Sequence, residues 1–148
     1  AAPAPAAEVG GGGGQQKTAT AWELQTCADL RVFDGATSSW RSVPASAATP
    51  AARWGATLVR HRTSAFLFGG TDGSRVFADL HELDTVSMVW RDAGAGAAGF
   101  PPLPRHSHAS CMVETPGAAG NSSHPAMVVF GGVSDKGLLL GDVAALAV

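Results

Sequence analysis

A spaced pattern that occurs twice, and then in part a third time, constrains this chain more than any other feature. Ala28-Asp29-Leu30 recurs as Ala78-Asp79-Leu80, Asp34 as Asp84, and Trp40 as Trp90, each 50 residues on. An apolar run closes on a double glycine at Phe66-Leu67-Phe68-Gly69-Gly70, and again at Val128-Val129-Phe130-Gly131-Gly132. A fixed period of this length marks a repeat architecture, in which one supersecondary unit cannot bury its apolar face alone.

Each piece has a physical reading. The runs 65–68 and 126–130 are expected as strands buried on both faces. Gly69, Gly70, Gly131 and Gly132 at their ends suit a sharp exit and a close backbone approach. Asp34 and Asp84 stand where a strand turns back, and Asp carboxylates bond turn amides. Asp29 and Asp79 recur at one position, so a structural role such as bonding turn amides is expected rather than acid–base catalysis. Trp40 and Trp90 offer large rings to fill the wedge between adjacent sheets. Arg53 and Arg105 follow proline-containing loops, and a buried arginine there needs carboxylate or carbonyl partners.

The ordered set Gly-Gly, Asp-Leu, Asp, Trp, Arg resembles the kelch repeat, the unit of one blade in a kelch β-propeller, over residues 28–148. The best copy runs from residue 65 to 113. The resemblance implies an all-β fold, part of a kelch-type propeller with four-stranded antiparallel blades and little helix. It places His108, three residues after Arg105, at the family's histidine position, whereas Ala56 stands there after Arg53. Some kelch-like propellers are copper oxidases that use tyrosines at the metal, but this chain has no Tyr. The third unit keeps Gly131-Gly132 and Gly141-Asp142-Val143 but reaches no Trp. The longer spacing from Asp79 to Asp142 signals inserted material at 94–99 and 115–125.

Residues 1–21, rich in Ala, Pro and Gly, read as a disordered linker. Residues 22–148 read as repeats: an incomplete blade at about 22–60, the best blade at about 61–113 and a partial blade at about 107–148. Trp22 to Gln25 would be an outer remnant of the first. About two and a half units fall short of the 4–8 blades that close a propeller. The chain is therefore expected to be a piece of a longer protein, needing further blades or another copy to close. A net charge of −2 with scattered basic residues excludes a broad nucleic-acid face. No run approaches the roughly 20 apolar residues of a membrane span. Cys27 and Cys111 are not repeat-equivalent and are expected as buried free thiols, which fits the cytoplasm or the nucleus.

Strand alternation would aim His106 and His108 the same way, as a metal pair requires. No cysteine or carboxylate completes a ligand set at standard spacing, so a structural His108 and a loop-edge His106 are expected, with no metal and no cofactor. No nucleophile elbow or phosphate loop appears, and the glycine run Gly10 to Gly14 lacks the context of one. Asn121-Ser122-Ser123 matches a glycosylation acceptor and is read as an unmodified loop. Up-and-down strands would gather loops 43–50, 71–77, 92–104 and 133–140 at one end. That end resembles the one many kelch propellers use for partners. Asp72, Arg75, Phe77 and Phe100 are its most ligand-like residues. The expected function is a protein–protein interaction or scaffold module without catalytic residues. The alternative is the accessory propeller of a phosphatase-, methyltransferase- or oxidase-linked protein whose catalytic part lies outside this chain.

Overall fold

The computed structural model describes residues 26–94, 101–116 and 123–148, and all regular structure among them is β. β1 (Leu30–Asp34) and β2 (Ser39–Val43) form a hairpin. β3 (Thr57–His61), β4 (Ser64–Phe68), β5 (Leu80–Asp84) and β6 (Val89–Asp92) form an antiparallel sheet in chain order. β7 (Arg105–His106) then precedes a third sheet. There β9 (Ser123–Phe130) lies between β8 (Ala109–Pro116) and β11 (Val143–Ala147). β10 (Val133–Ser134) pairs back onto β7.

The repeat is visible in local geometry. Asp34 Oδ1 accepts the amides of Ala36 and Thr37, and Asp84 Oδ1 those of Val86 and Ser87. These bonds hold both carboxyls below the usual carboxylate range. Four residues after each Asp the chain turns through a left-handed residue, Ser38 or Met88. The returning strands then set Trp40 opposite Phe33 and Trp90 opposite Leu83.

Two apolar layers join the sheets. Ala65, Leu83 and Trp90 form one, with Leu30 and Leu67 against it. Phe66, Phe68, Leu80, Met127 and Val129 form the other, with Val59, Met112, Ala144 and Leu146 packed around them. Each side chain taken fully out of water here contributes about 1.5–3 kcal/mol.

Several expectations need correction. Trp90 fills a wedge, but Trp40 is 69% exposed and touches Phe33 at 5.1 Å between ring centroids. No described sheet lies on that side of the hairpin to cover it. The run 126–130 is not buried on both faces. Met127 and Val129 are, while Phe130 is half exposed on the face that no described sheet covers. Cys27 and Cys111 are exposed rather than buried, and neither is in a disulfide. The described ends of the inserted stretch belong to β8 and β9, with Thr115 opposite His124 and Pro116 opposite Ser123. The complete sheet spans β3 to β6. Residues 1–25, most of 94–99, Phe100 and Asn121-Ser122 lie outside the described residues.

Candidate interaction face

Two arginine clamps build the frame that presents the loops. Arg53 follows a proline loop and precedes β3, and its guanidinium grips Asp79 with two bonds of 2.5 and 2.9 Å. It also donates to the carbonyl of Gly69 at 2.9 Å. Arg105 repeats this with Asp142, at 2.9 and 2.8 Å, and with the carbonyl of Gly131 at 3.1 Å. Bidentate charge-assisted pairs of this kind are short and directional. Burial alone would raise the Asp79 carboxyl. Arg53 and the His81 Nε2–H, 2.9 Å away, hold it well below the usual range instead. The Arg105 guanidinium lowers Asp142 likewise. Asp79 thus takes an arginine rather than turn amides. Asp29, at the equivalent position, takes Arg31 at the surface, because the described chain brings it no arginine from a preceding unit.

His108 sits beneath this frame. It is buried, its ring meets Phe68 edge-on at 5.5 Å, and its Nε2 shares a 2.8 Å hydrogen bond with Thr57 Oγ1. Burial first, then the charges of Arg105 and His106, push its pKa down to about 4. A histidine in the unfolded chain titrates near 6.5, so between these values the unfolded state binds the extra proton. Stability is complete above pH 6.5 and falls as pH drops, by about 2 kcal/mol at pH 5. The aspartates do not contribute there, because their support is lost only below the ordinary carboxylate range. Urea unfolding at pH 7 and pH 5 is expected to show this loss, and His108→Gln to flatten the slope. A wild-type chain equally stable at both pH values would contradict it.

His106 and His108 are not an aligned pair. Ser107 has a φ of 56°, which breaks strand alternation between them. His106 turns to Trp54, with ring centroids 5.0 Å apart. Among the described residues no group of three or more metal-type side chains converges.

The loop between β4 and β5 is more structured than a polar turn. Thr71 is buried and bridges both Trp54 and Val76. The Asp72 carboxylate accepts the Ser74 hydroxyl and the amides of Ser74 and Arg75, and it also takes Arg75 Nε. These bonds, the Ser74 hydroxyl foremost, hold it well below the usual range. Phe77 lies between two guanidiniums, Arg53 at 4.0 Å and Arg75 at 4.7 Å from the ring centroid. Asp72, Arg75 and Phe77 therefore form one cluster, with Arg75 outermost. The matching loop of the third unit offers Leu138 and Leu139 to solvent. Trp54, directly after a clamp arginine, was not singled out from sequence, and His106, at the same repeat position, was read only as a loop-edge residue. The signal was available as an aromatic ring at one repeat position in both units. Two clefts of about 290 and 260 Å³ flank the first hairpin, lined by Asp29, Val43, Leu67 and Trp90 among others.

The model of the KLHDC2/KLHL20/DRC7 Kelch-repeats domain matches residues 10–148. The chain belongs to the kelch-repeat family. It is 31% identical over 126 residues to "Leucine-zipper-like transcriptional regulator 1 homolog" of Drosophila melanogaster, covering 80% of this chain and 12% of that protein. It is 34% identical over 113 residues to "Adagio protein 3" of Arabidopsis thaliana, covering 74% and 16%. It is 38% identical over 82 residues to "Acyl-CoA-binding domain-containing protein 6" of Oryza sativa subsp. japonica, covering 55% and 12%. The chain thus spans less than a fifth of the length of each of these relatives. Its sheets are antiparallel kelch blades of a partial propeller, one of them complete at four strands.

Proposed function

We propose that these kelch repeats form a protein-interaction module whose binding end is the loop face around Trp54, Arg75, His106 and Leu139. One observation carries this reading. The charged groups of the frame are committed to structural bonds, Arg53 and His81 to Asp79 and Arg105 to Asp142, while apolar and aromatic side chains stand exposed on the loops they hold. Loops presented by a rigid scaffold are where functional residues concentrate. The half-exposed Trp54 and the outward Arg75 belong to the residue types that dominate interface energies. Kelch domains commonly act in this way, which supports the assignment.

The test compares protein neighbours captured by proximity labelling in cells. The full polypeptide carries either Trp54→Ala with Arg75→Glu, or a control pair, Arg60→Glu with Arg62→Glu, at the opposite end of the sheet. Hot-spot truncation is expected to weaken the direct partner at least about tenfold. The control leaves it bound. Retention of every neighbour by the loop variant would refute the reading, as would loss with both variants.

A further inference from the structure

The junction between the central and third sheets changes character along its length. Its middle is apolar, with Phe66 and Phe68 against Met127 and Val129. At the end away from the loops, Glu114 faces His61 at 3.6 Å and Arg62 at 3.9 Å. At the loop end, segment 105–108 is tied to the central unit by isolated hydrogen bonds. The Ser107 amide donates to the Gly55 carbonyl at 2.7 Å, and the Gly70 amide to the Arg105 carbonyl at 2.9 Å. His108 bonds Thr57, and the His106 ring meets Trp54.

His108 is the weak point of that end. It is 7% exposed. In an imidazolium both ring nitrogens donate. Thr57 Oγ1 can accept one N–H, but Nδ1 is buried with no described group within hydrogen-bond reach, so the second N–H finds no acceptor. The charge is no better placed. The ionisable groups acting on His108 are Arg105 and His106 of its own segment, while β3 and β4 bring it the Thr57 hydroxyl and the Phe68 ring. The carboxylates of Asp79 and Asp142 are held by the clamp arginines. A buried cation without a carboxylate is costly. His61, by contrast, has Glu114 to compensate a proton. Acid therefore strains one end of the junction only.

We propose that protonation of His108 releases segment 105–108 from the central sheet and takes the Trp54–His106 contact with it, so that the loop face keeps its binding shape only while His108 is neutral. This rests on the interaction-module reading and adds a control to it. The face loosens in mild acid while the apolar middle keeps the sheets joined.

Amide hydrogen exchange of the full polypeptide, corrected for the intrinsic effect of pH, tests this. With a pKa of about 4 in the closed segment and about 6.5 once released, opening becomes roughly twentyfold more frequent between pH 7 and pH 5. The Ser107 and Gly70 amides are expected to lose protection by that factor and to exchange faster than the amides of β4 at both pH values. His108→Gln is expected to remove the pH response. Cross-junction amides that exchange no faster than those of β4 overturn the proposal, since the segment would then open only with the whole fold. So does protection that is equal at pH 7 and pH 5, or a response that survives in His108→Gln. If that variant does not fold, the first two comparisons on the wild-type chain still decide. None of these rates involves a partner, so a loop face that captures nothing in cells leaves this test intact.

Discussion

Asp79→Ala is expected to destabilise the chain by about 3–5 kcal/mol, the cost of leaving a buried charge unpaired. The Arg53 side chain is only 5% exposed, and its two strongest bonds go to this carboxylate. Without Asp79 the guanidinium keeps the carbonyls of Gly69 and Ala51 and the ring of Phe77, none of which neutralises it. His81 loses its acceptor as well. The reverse change is milder. Arg53→Met removes the buried charge and fills similar volume, and Asp79, which is 37% exposed, can recover water. Adding Arg53→Met to Asp79→Ala is therefore expected to restore part of the loss. Denaturant unfolding of the three variants checks the order. An Asp79→Ala chain as stable as wild type, or an Arg53→Met chain worse than it, would refute the stranded-charge account. Such a loss is a large share of the 5–15 kcal/mol that folded domains possess.

The second large effect is expected at the double glycines. A Cβ on Gly69 would lie 2.5 Å from the Arg105 carbonyl oxygen, which is backbone of the following unit. A Cβ on Gly132 would lie 2.7 Å from the carbonyl of His106 and 2.9 Å from the His108 Cβ. Both glycines have positive φ, which costs an L-residue roughly 1–2 kcal/mol by itself. The chain supplies its own controls. Gly137 matches Gly69 in φ and Gly73 matches Gly132, yet an added Cβ at either control meets nothing within 4 Å. Alanine at 73 or 137 is therefore expected to cost only the backbone term. Alanine at 69 or 132 is expected to add roughly 1–3 kcal/mol of steric cost. Thermal melts of the four variants separate the terms, and equal losses at all four would show that the junction tolerates the methyl group.

Much of this was legible in one dimension. The turn chemistry of Asp34 and Asp84, the apolar runs and the spacing of Trp, Arg and Gly-Gly are local features, and they identify antiparallel kelch blades. The clamps were half legible. A buried arginine demanded an acid, but Arg53 reaches Asp79 across 26 residues and Arg105 reaches Asp142 across 37, with inserted material between. Spacing alone could not pair them. The loop cluster of Asp72, Arg75 and Phe77 was visible as a set of residues, while its closed geometry and the Trp54–His106 contact depend on how loops of successive units meet.

Equivalent residues with opposite fates show where local information stops. Trp90 is buried and Trp40 exposed, and Phe68 is sealed while Phe130 faces solvent. Gly69 is crowded by the next unit, yet Gly131 would meet only the Leu140 carbonyl, at 3.3 Å. The amino-acid sequence determined the unit: its strands, its turns, its clamp residues and its family. Only the tertiary structure decided which copy of each residue works. Burial, steric crowding and charge pairing are properties of a junction between two sheets, and a repeat position acquires them only where a neighbouring unit arrives.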